Sequence, residues 1–220
     1  MKIRINQVFY KLRFFFIPYL IILCSCLVLK LLLTREDIFF EVNEHHYSFA
    51  DQFFSYATDF GNGIAVPVIG LILLLHSYRK AFLVISCSLV TTIVCQVIKV
   101  AVHAPRPSVY FKDQLTHIYF IKGIKMLSWN SFPSGHTVQA FTLAVVLSYI
   151  TPNKKWAFIY LLLALFIGYS RMYLSQHFFE DVVAGSIIGS ITTVIWLTII
   201  DSKPFIHSPK WARGYVFNKG

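Results

Sequence analysis

Long apolar runs separated by short charged connections decide what this chain can fold into. Six such runs, each close to the length needed to cross a membrane, cover residues 14–33, 61–77, 81–103, 134–150, 156–173 and 181–200. In lipid a backbone must satisfy its own hydrogen bonds, so apolar runs of this length predict helices. We therefore expect an all-α, polytopic membrane helix bundle with six transmembrane helices.

Composition agrees with this class and limits the number of domains. Hydrophobic residues make up 56% of the chain and charged residues only 14%, roughly half the charged share of a soluble domain. The 220 residues suffice for one domain, so residues 1–220 are expected to form a single integral membrane domain. The alternative for residues 14–33 is a cleaved signal peptide. The apolar run is too long for one and contains Lys30, so this alternative is disfavoured.

The formal net charge of +10 could indicate a nucleic-acid partner, but its distribution does not. The basic residues fall in short clusters between apolar runs, which suits membrane topology and anionic lipid, and no nucleic-acid partner is expected. Six spans place both termini on one side, and that side with its short turns holds twelve of the 20 Lys and Arg residues. The positive-inside rule then predicts cytoplasmic termini. Small size and short loops favour a bacterial inner-membrane protein.

Residues 35–60 differ from the apolar runs around them. They carry most of the acidic side chains of the chain, and aromatic residues are interspersed among these acids. This mixture predicts an extra, partly helical interfacial segment that lies on the membrane surface.

Three clusters of ionisable residues lie at the edges of the runs, all on the side opposite the termini. A charge in hydrocarbon costs roughly 2.5–3.5 kcal/mol, so such clusters usually mark a functional site. They are Lys99 with Arg106-Pro107, Pro133-Ser134-Gly135-His136, and Ser170-Arg171 with His177 and Asp181. Three cations and two histidines beside one carboxylate are typical of a phosphate-binding site.

The residue types give each cluster a chemical purpose. Arg106 lies between two prolines, which hold its planar fork on a stiff turn. Ser134 is a good helix N-cap, and Gly135 lets an anion approach the first backbone amides. His177 and Asp181 are four residues apart, so a shared helical turn would place them on one face, with the carboxylate orienting the imidazole.

Each cluster also has a plainer explanation. The cations could extend to the membrane edge, the serine could only cap a helix, and the histidine and aspartate could form a surface pair. A metal at His177 and Asp181 is disfavoured, because too few carboxylates converge there and three cations would repel a divalent ion. We expect no metal and no cofactor.

Taken together, the motifs resemble the signature of the type 2 phosphatidic acid phosphatase superfamily, which also includes bacterial acid phosphatases and vanadium haloperoxidases. The matching pattern is Lys99-x6-Arg106-Pro107, then Pro133-Ser134-Gly135-His136, then Ser170-Arg171-x5-His177-x3-Asp181. It spans residues 99–181 and departs from the signature at no defining position. The six-run layout is similar to the membrane-bound bacterial lipid phosphatases of that superfamily.

The resemblance implies a role for each residue. His177 would attack phosphorus and become a phosphohistidine, Asp181 would orient it, and His136 would protonate the leaving oxygen. Water would then release phosphate without a metal. The residues implied to hold the phosphoryl oxygens are Lys99, Arg106, Ser134, Gly135 and Arg171.

Location suggests the substrate class. A site at the extracytoplasmic membrane edge predicts a phosphorylated lipid headgroup, and undecaprenyl diphosphate, phosphatidylglycerol phosphate and a lipid A phosphate all stay open. Oligomeric state stays open too. The short 175–180 loop predicts little covering and lateral entry of the headgroup, with residues 35–60 and 112–125 selecting it. Alternatives are a lipid phosphotransferase with the same intermediate and a non-enzymatic phosphate-lipid binding or transport protein.

Overall fold

The computed structural model describes residues 4–59 and 64–217, and every regular element within them is a helix. The helices are α1 Ile5–Lys11, α2 Arg13–Leu32, α3 Arg35–Asn43, α4 Ser48–Asp59, α5 Ala65–His76, α6 Tyr78–Val102, α7 Pro107–Tyr110, α8 Gly135–Ile150, α9 Trp156–Tyr173, α10 Phe179–Ile200 and α11 Pro209–Ala212. Short 3-10 helices cover Lys112–His117, Pro204–His207 and Tyr215–Phe217. The all-α prediction is confirmed.

Four of the helices are long and apolar enough to cross a membrane. These are α2, α6, α9 and α10, whereas α5 has 12 residues and α8 has 16. At 1.5 Å per residue α8 is about 24 Å long, shorter than a hydrocarbon core of about 30 Å. The protein is thus an integral membrane helix bundle, and a full count of six spans stays a prediction.

Helix α8 is the centre of the bundle, packed against α6, α9 and α10. Two glycines of α10 permit this contact. A Cβ added at Gly189 would lie 2.5 Å from the Val138 carbonyl oxygen, and one at Gly185 would lie 2.9 Å from that of Ser134. Since neither distance is possible for a real side chain, the glycines let the two backbones touch. The packing of α8 against α10 therefore sets the position of the Ser134–His136 motif.

Local sequence fixes where helix α6 begins and ends. Ser77 is its N-cap, with a side chain that accepts a hydrogen bond from the Lys80 amide at 3.4 Å. The helix ends at His103, whose backbone is left-handed with φ 47°. Lys99 therefore lies in the last turn of α6, at the end of the bundle where the connection to α8 starts.

The other end of the bundle holds the main hydrophobic core and an ion pair between a buried aspartate and a partly exposed arginine. Phe15 of α2, Phe141 of α8 and Leu197 of α10 belong to this core and are buried almost completely. Asp201, which follows α10, is fully buried and accepts hydrogen bonds from Arg79 Nη2 at 2.6 and 2.8 Å. This pair ties the start of α6 to the end of α10.

Residues 35–59 form α3 and α4 and pack on the protein. Phe39 of α3 joins a buried aromatic cluster with Phe111 and Phe178, and Phe54 of α4 packs against Tyr173 at the end of α9. The helical prediction for this segment is confirmed for residues 35–59, and residue 60 lies outside the described residues. Its position on the membrane surface stays a prediction.

Candidate functional site

The start of α8 contacts residues of both other clusters. The Ser134 amide donates a hydrogen bond to the Asp181 carbonyl oxygen at 2.9 Å. A Cβ at Gly135 would lie 3.7 Å from Lys99 Cε, so the lysine side chain passes directly over this glycine. Lys99 Nζ then donates to the Asn130 carbonyl oxygen at 2.6 Å. Residues that are far apart in the chain thus meet at one end of the bundle.

Arg106 and Arg171 hold the turn that contains His177. Arg106 Nη1 donates to the carbonyl oxygen and to Oε1 of Gln176, at 3.0 and 3.2 Å. The amides of Gln176 and His177 both donate to the Arg171 carbonyl oxygen, at 3.0 and 3.2 Å. The two arginines and Lys99 are each less than a tenth exposed. Such burial of three cations requires anionic or polar partners and favours an anion site.

His177 lies against the Asp181 carboxylate, with Nδ1 and Oδ2 3.4 Å apart. The two residues do not share a helical turn, because α10 begins at Phe179 and His177 precedes it. Asp181 is the third residue of α10, and its Oδ2 accepts from the Phe178 amide at 2.9 Å. A carboxylate that folds back on the helix start in this way comes to lie beside the imidazole.

Burial and nearby cations keep His177 neutral. Its side chain is 1% exposed, and burial lowers the pKa well below the usual value near 6.5. The charges of Arg106, Arg171 and Lys99 lower this pKa further. Nδ1 faces Asp181 Oδ2 and Ser131 Oγ, each at 3.4 Å, and this favours the tautomer that carries its proton on Nδ1 and directs the Nε2 lone pair to the substrate. A neutral imidazole with a free Nε2 is the nucleophilic form.

The start of α8 can contribute to an anion site. Ser134 occupies the N-cap position as predicted, yet among the described residues no side chain caps α8. Its hydroxyl instead accepts from Thr137 Oγ1 at 2.9 Å. The first N–H groups of a helix have no intrahelical partner and attract phosphate. His136, in this first turn, lines the same cavity of about 630 Å³ as Arg171 and Gln176.

Two site residues were not predicted from the sequence. Ser131 is fully buried and its Oγ donates to Asp181 Oδ2 at 2.5 Å while lying 3.4 Å from His177 Nδ1. Gln176 links two segments: its Oε1 accepts from Arg106, and its Nε2 donates to the Lys125 carbonyl oxygen at 3.4 Å. Their only sequence signal is proximity to the motifs. Ser131 lies two residues before Pro133, and Gln176 directly precedes His177.

The expectation of little covering over the 175–180 turn is wrong. Phe178 is buried beneath Phe39 of α3 and Phe111, because α3 and the connection from α6 to α8 fold over this turn. Access is instead through two cavities that both reach His136. One is the 630 Å³ cavity, and the other, of about 470 Å³, lies between α5, α6 and α8 and is lined by Pro67, Leu89 and Gly135.

Over residues 4–59 and 64–217, no three His, Cys, Asp or Glu side chains are arranged to hold a metal ion. The positive charges that face His177 belong to Arg106, Arg171 and Lys99 of the protein itself.

Comparison with known proteins agrees with this geometry. The sequence model of the PAP2 superfamily matches residues 80–204, more than half of the chain and the whole of the motif region. The crystal structure of LpxE from Aquifex aeolicus is similar in fold, with a TM-score of 0.65 and 30% identity, covering 73% of this chain and 93% of that one.

Two curated relatives match most of the chain. A lipid A 4'-phosphatase from Bacteroides thetaiotaomicron is 33% identical over 166 residues, covering 71% of each chain. An undecaprenyl-diphosphatase from Sulfolobus acidocaldarius is 26% identical over 202 residues, covering 87% of this chain and 93% of the relative.

Proposed function

The chain belongs to the PAP2 superfamily, and from this premise we propose that it hydrolyses a phosphomonoester or diphosphate on a lipid headgroup through a phosphohistidine at His177. The observation that carries the proposal is the buried contact of His177 Nδ1 with Asp181 Oδ2 at 3.4 Å, surrounded by three buried cations. Nothing in the described residues favours a different reaction on this site.

In the first step Nε2 of His177 attacks phosphorus. A P–N bond forms, the bond from phosphorus to the leaving oxygen breaks, and His136 donates a proton to that oxygen. The imidazole gains positive charge during the attack, and the Asp181 carboxylate stabilises this charge. Negative charge on the phosphoryl oxygens is stabilised by the cations Lys99, Arg106 and Arg171 together with the Ser134 hydroxyl and the Gly135 amide.

In the second step water attacks the phosphohistidine. His136, now neutral, accepts a proton from this water, the P–N bond breaks, and phosphate leaves with His177 regenerated. The three cations supply the charge neutralisation that a divalent ion supplies in other phosphoryl-transfer enzymes. We therefore propose that the reaction requires no metal and persists in the presence of a chelator.

The substrate is proposed to be an envelope lipid with a phosphorylated headgroup. The relatives support this class, since one is an undecaprenyl-diphosphatase and another a lipid A 4'-phosphatase. The cavity between α5, α6 and α8 supports lateral entry, because its lining includes both His136 and exposed apolar side chains of α6 such as Leu89. The lipid tail would stay in the bilayer while the headgroup reaches His177.

We also propose that the site faces the extracytoplasmic side of a bacterial inner membrane, with cytoplasmic termini. The excess of Lys and Arg on the side of the termini supports this orientation. A C-terminal fluorescent-protein fusion should fluoresce, and the corresponding alkaline phosphatase fusion should be inactive. The reverse pattern would refute the proposed topology.

The function is tested with purified protein and a panel of phosphorylated envelope lipids. Wild-type protein should release phosphate without an added acceptor lipid, which distinguishes hydrolysis from phosphotransfer. His177→Ala should abolish release, and His117→Ala, which changes an exposed histidine outside the site, should not. Phosphate release that survives His177→Ala would overturn the mechanism, and lipid binding without any release would favour a binding or transport protein.

A further inference from the structure

The cavity that reaches His136 and Arg171 is larger than one phosphoryl group requires. Its volume of about 630 Å³ lies in the range of cavities that bind whole small molecules. Its inner end is formed by His136, Arg171 and Gln176, and its outer wall includes Lys122 and Lys125. Neither lysine belongs to the motifs described above.

A well-defined turn holds Lys122 on this wall. The Ile124 amide donates to the Ile121 carbonyl oxygen at 3.3 Å, and Gly123 has φ 88°, the geometry of a type II turn with glycine at its third position. Ile121 and Ile124 pack on the hydrophobic cluster around Tyr173. The turn is therefore fixed by two apolar side chains, while the ammonium group of Lys122 stays exposed.

Lys125 is linked to the reaction centre through Gln176. The Lys125 carbonyl oxygen accepts from Gln176 Nε2 at 3.4 Å, and Gln176 in turn accepts two hydrogen bonds from Arg106. This chain of contacts uses the backbone of Lys125 and leaves its side chain exposed at the cavity. These backbone contacts thus fix the position of Lys125 relative to Arg106, and the charged side chain of Lys125 takes no part in them.

The positive charge of this wall is not cancelled within the protein. Among the ion pairs of the described residues, none includes Lys122 or Lys125. Asp51 lines the same cavity, but its Oδ1 accepts from Tyr173 at 2.7 Å and its Oδ2 from Tyr119 at 2.8 Å.

Asp51 is thus occupied by its own neighbours. His46 Nδ1 also lies 2.9 Å from Asp51 Oδ1, so three side chains surround the carboxylate. Burial raises the pKa of Asp51, but the hydrogen bonds from Tyr173, His46 and Tyr119 together lower it below its usual value. The carboxylate is satisfied by these groups, and the two lysines remain available to an anion.

We propose that Lys122 and Lys125 form a second anion-binding subsite, which holds a second phosphate of the substrate while His177 attacks the first. This inference rests on the proposed function and narrows its substrate class. The preferred substrate is a lipid whose headgroup carries a second phosphate, either directly bonded as in a diphosphate or separated by a short linker. The subsite accelerates turnover of such lipids and not of simple monophosphates.

Matched substrate pairs test the subsite. Farnesyl diphosphate and farnesyl phosphate share one tail, and phosphatidylglycerol phosphate and phosphatidic acid share another, with only the first of each pair carrying a second phosphate. The double variant Lys122→Gln/Lys125→Gln should lower kcat/KM roughly fivefold for at least one doubly phosphorylated lipid, the loss expected for two exposed ion pairs. For both monophosphates kcat/KM should stay unchanged.

Two controls separate charge from structure. Lys112→Gln removes a lysine from the same connection but outside the cavity lining, and it should have no effect on either pair. The charge-conserving variant Lys122→Arg/Lys125→Arg should retain the preference. Added salt should reduce the preference in wild-type protein, because exposed charges are screened.

The outcomes distinguish this inference from the function on which it rests. Loss on farnesyl diphosphate alone indicates an adjacent second phosphate, and loss on phosphatidylglycerol phosphate alone indicates a separated one. If the double lysine variant changes phosphate release equally for all four lipids, or for none of them, the subsite is overturned. The phosphatase function stays intact in either case. No release from any lipid by wild-type protein overturns both.

Discussion

Replacing Ser131 by alanine should slow catalysis without disturbing the fold. Ser131 is fully buried, and its Oγ donates to Asp181 Oδ2 at 2.5 Å and lies 3.4 Å from His177 Nδ1. Alanine removes this oxygen and nearly nothing else. The change therefore tests whether the carboxylate beside His177 must be held by a side-chain donor.

The structure sets the size of the effect. Without Ser131, Asp181 Oδ2 keeps the Phe178 amide at 2.9 Å and the His177 nitrogen at 3.4 Å. A hydrogen bond to a charged group contributes roughly 1.5–3 kcal/mol. The imidazole becomes positive only as it attacks, so we expect most of this energy to be lost in the transition state. Since ~1.4 kcal/mol corresponds to a tenfold change in rate, kcat should fall tenfold to hundredfold. KM should change little, because Ser131 contacts Asp181 and His177, not the cations.

Ser148→Ala is the matched control. Ser148 is also buried but lies outside the motifs, and its Oγ donates to the Ala144 carbonyl oxygen at 2.6 Å within α8. Phosphate release and thermal unfolding should be measured for both variants in the same detergent. We expect the control to stay within about twofold of wild type in kcat. A Ser131→Ala protein that melts normally and keeps the wild-type kcat would refute the assigned role of this hydroxyl.

Three further predictions concern packing, pH and charge. Gly189→Val should lower the melting temperature by several degrees, because its Cβ would lie 2.5 Å from the Val138 carbonyl oxygen and overpacking costs roughly 1–3 kcal/mol; an unchanged melting curve would contradict the close packing of α8 and α10. Because the pKa of His177 is lowered, the imidazole stays neutral above pH 6.5. A pH profile of kcat/KM, corrected for substrate ionisation, should therefore show no fall caused by protonation of His177 at pH 6.5 or above. Arg79→Met should destabilise the protein by roughly 1–3 kcal/mol in denaturant titrations, since buried Asp201 loses its arginine and keeps the Tyr149 hydroxyl at 2.7 Å; an unchanged unfolding midpoint would show that the pair is not needed.

Helix positions were predictable because the apolar runs end at charges, glycines and prolines. The predicted run 156–173 coincides with α9, and the run 134–150 differs from α8 by one residue. Hydrophobic length decides these boundaries locally, so no tertiary information is needed. The same patterns could not decide how many helices cross the membrane, since α8, with 16 residues, is shorter than a usual membrane span.

The site was predictable in its members but not in its surroundings. Motif spacing identified the residues that meet around His177, although each cluster alone also had a plain structural explanation. Ser131 and Gln176 lie in irregular connections, where no periodicity indicates which way a side chain points. His46 and Asp51 are five residues apart, a spacing that aligns neither a helix face nor a strand, so their contact at 2.9 Å also required the structure.

The covering of the site was mispredicted for the same reason. Sequence shows that the 175–180 connection is short, but it does not show that α3 and the connection between α6 and α8 fold over it. The contacts that bury Phe178 join Phe39 and Phe111 across long separations in the chain. Such contacts depend on how the bundle assembles and leave no local signal.

Trapping the covalent intermediate tests the attack by His177 most directly. Protein quenched in alkali during turnover of a lipid labelled with radioactive phosphate should carry label that is stable in base and lost in acid, the behaviour of a phosphoramidate bond. Peptide mapping should place it on His177, and His177→Ala protein should carry none. Turnover without any labelled protein, or label on another residue, would contradict the account.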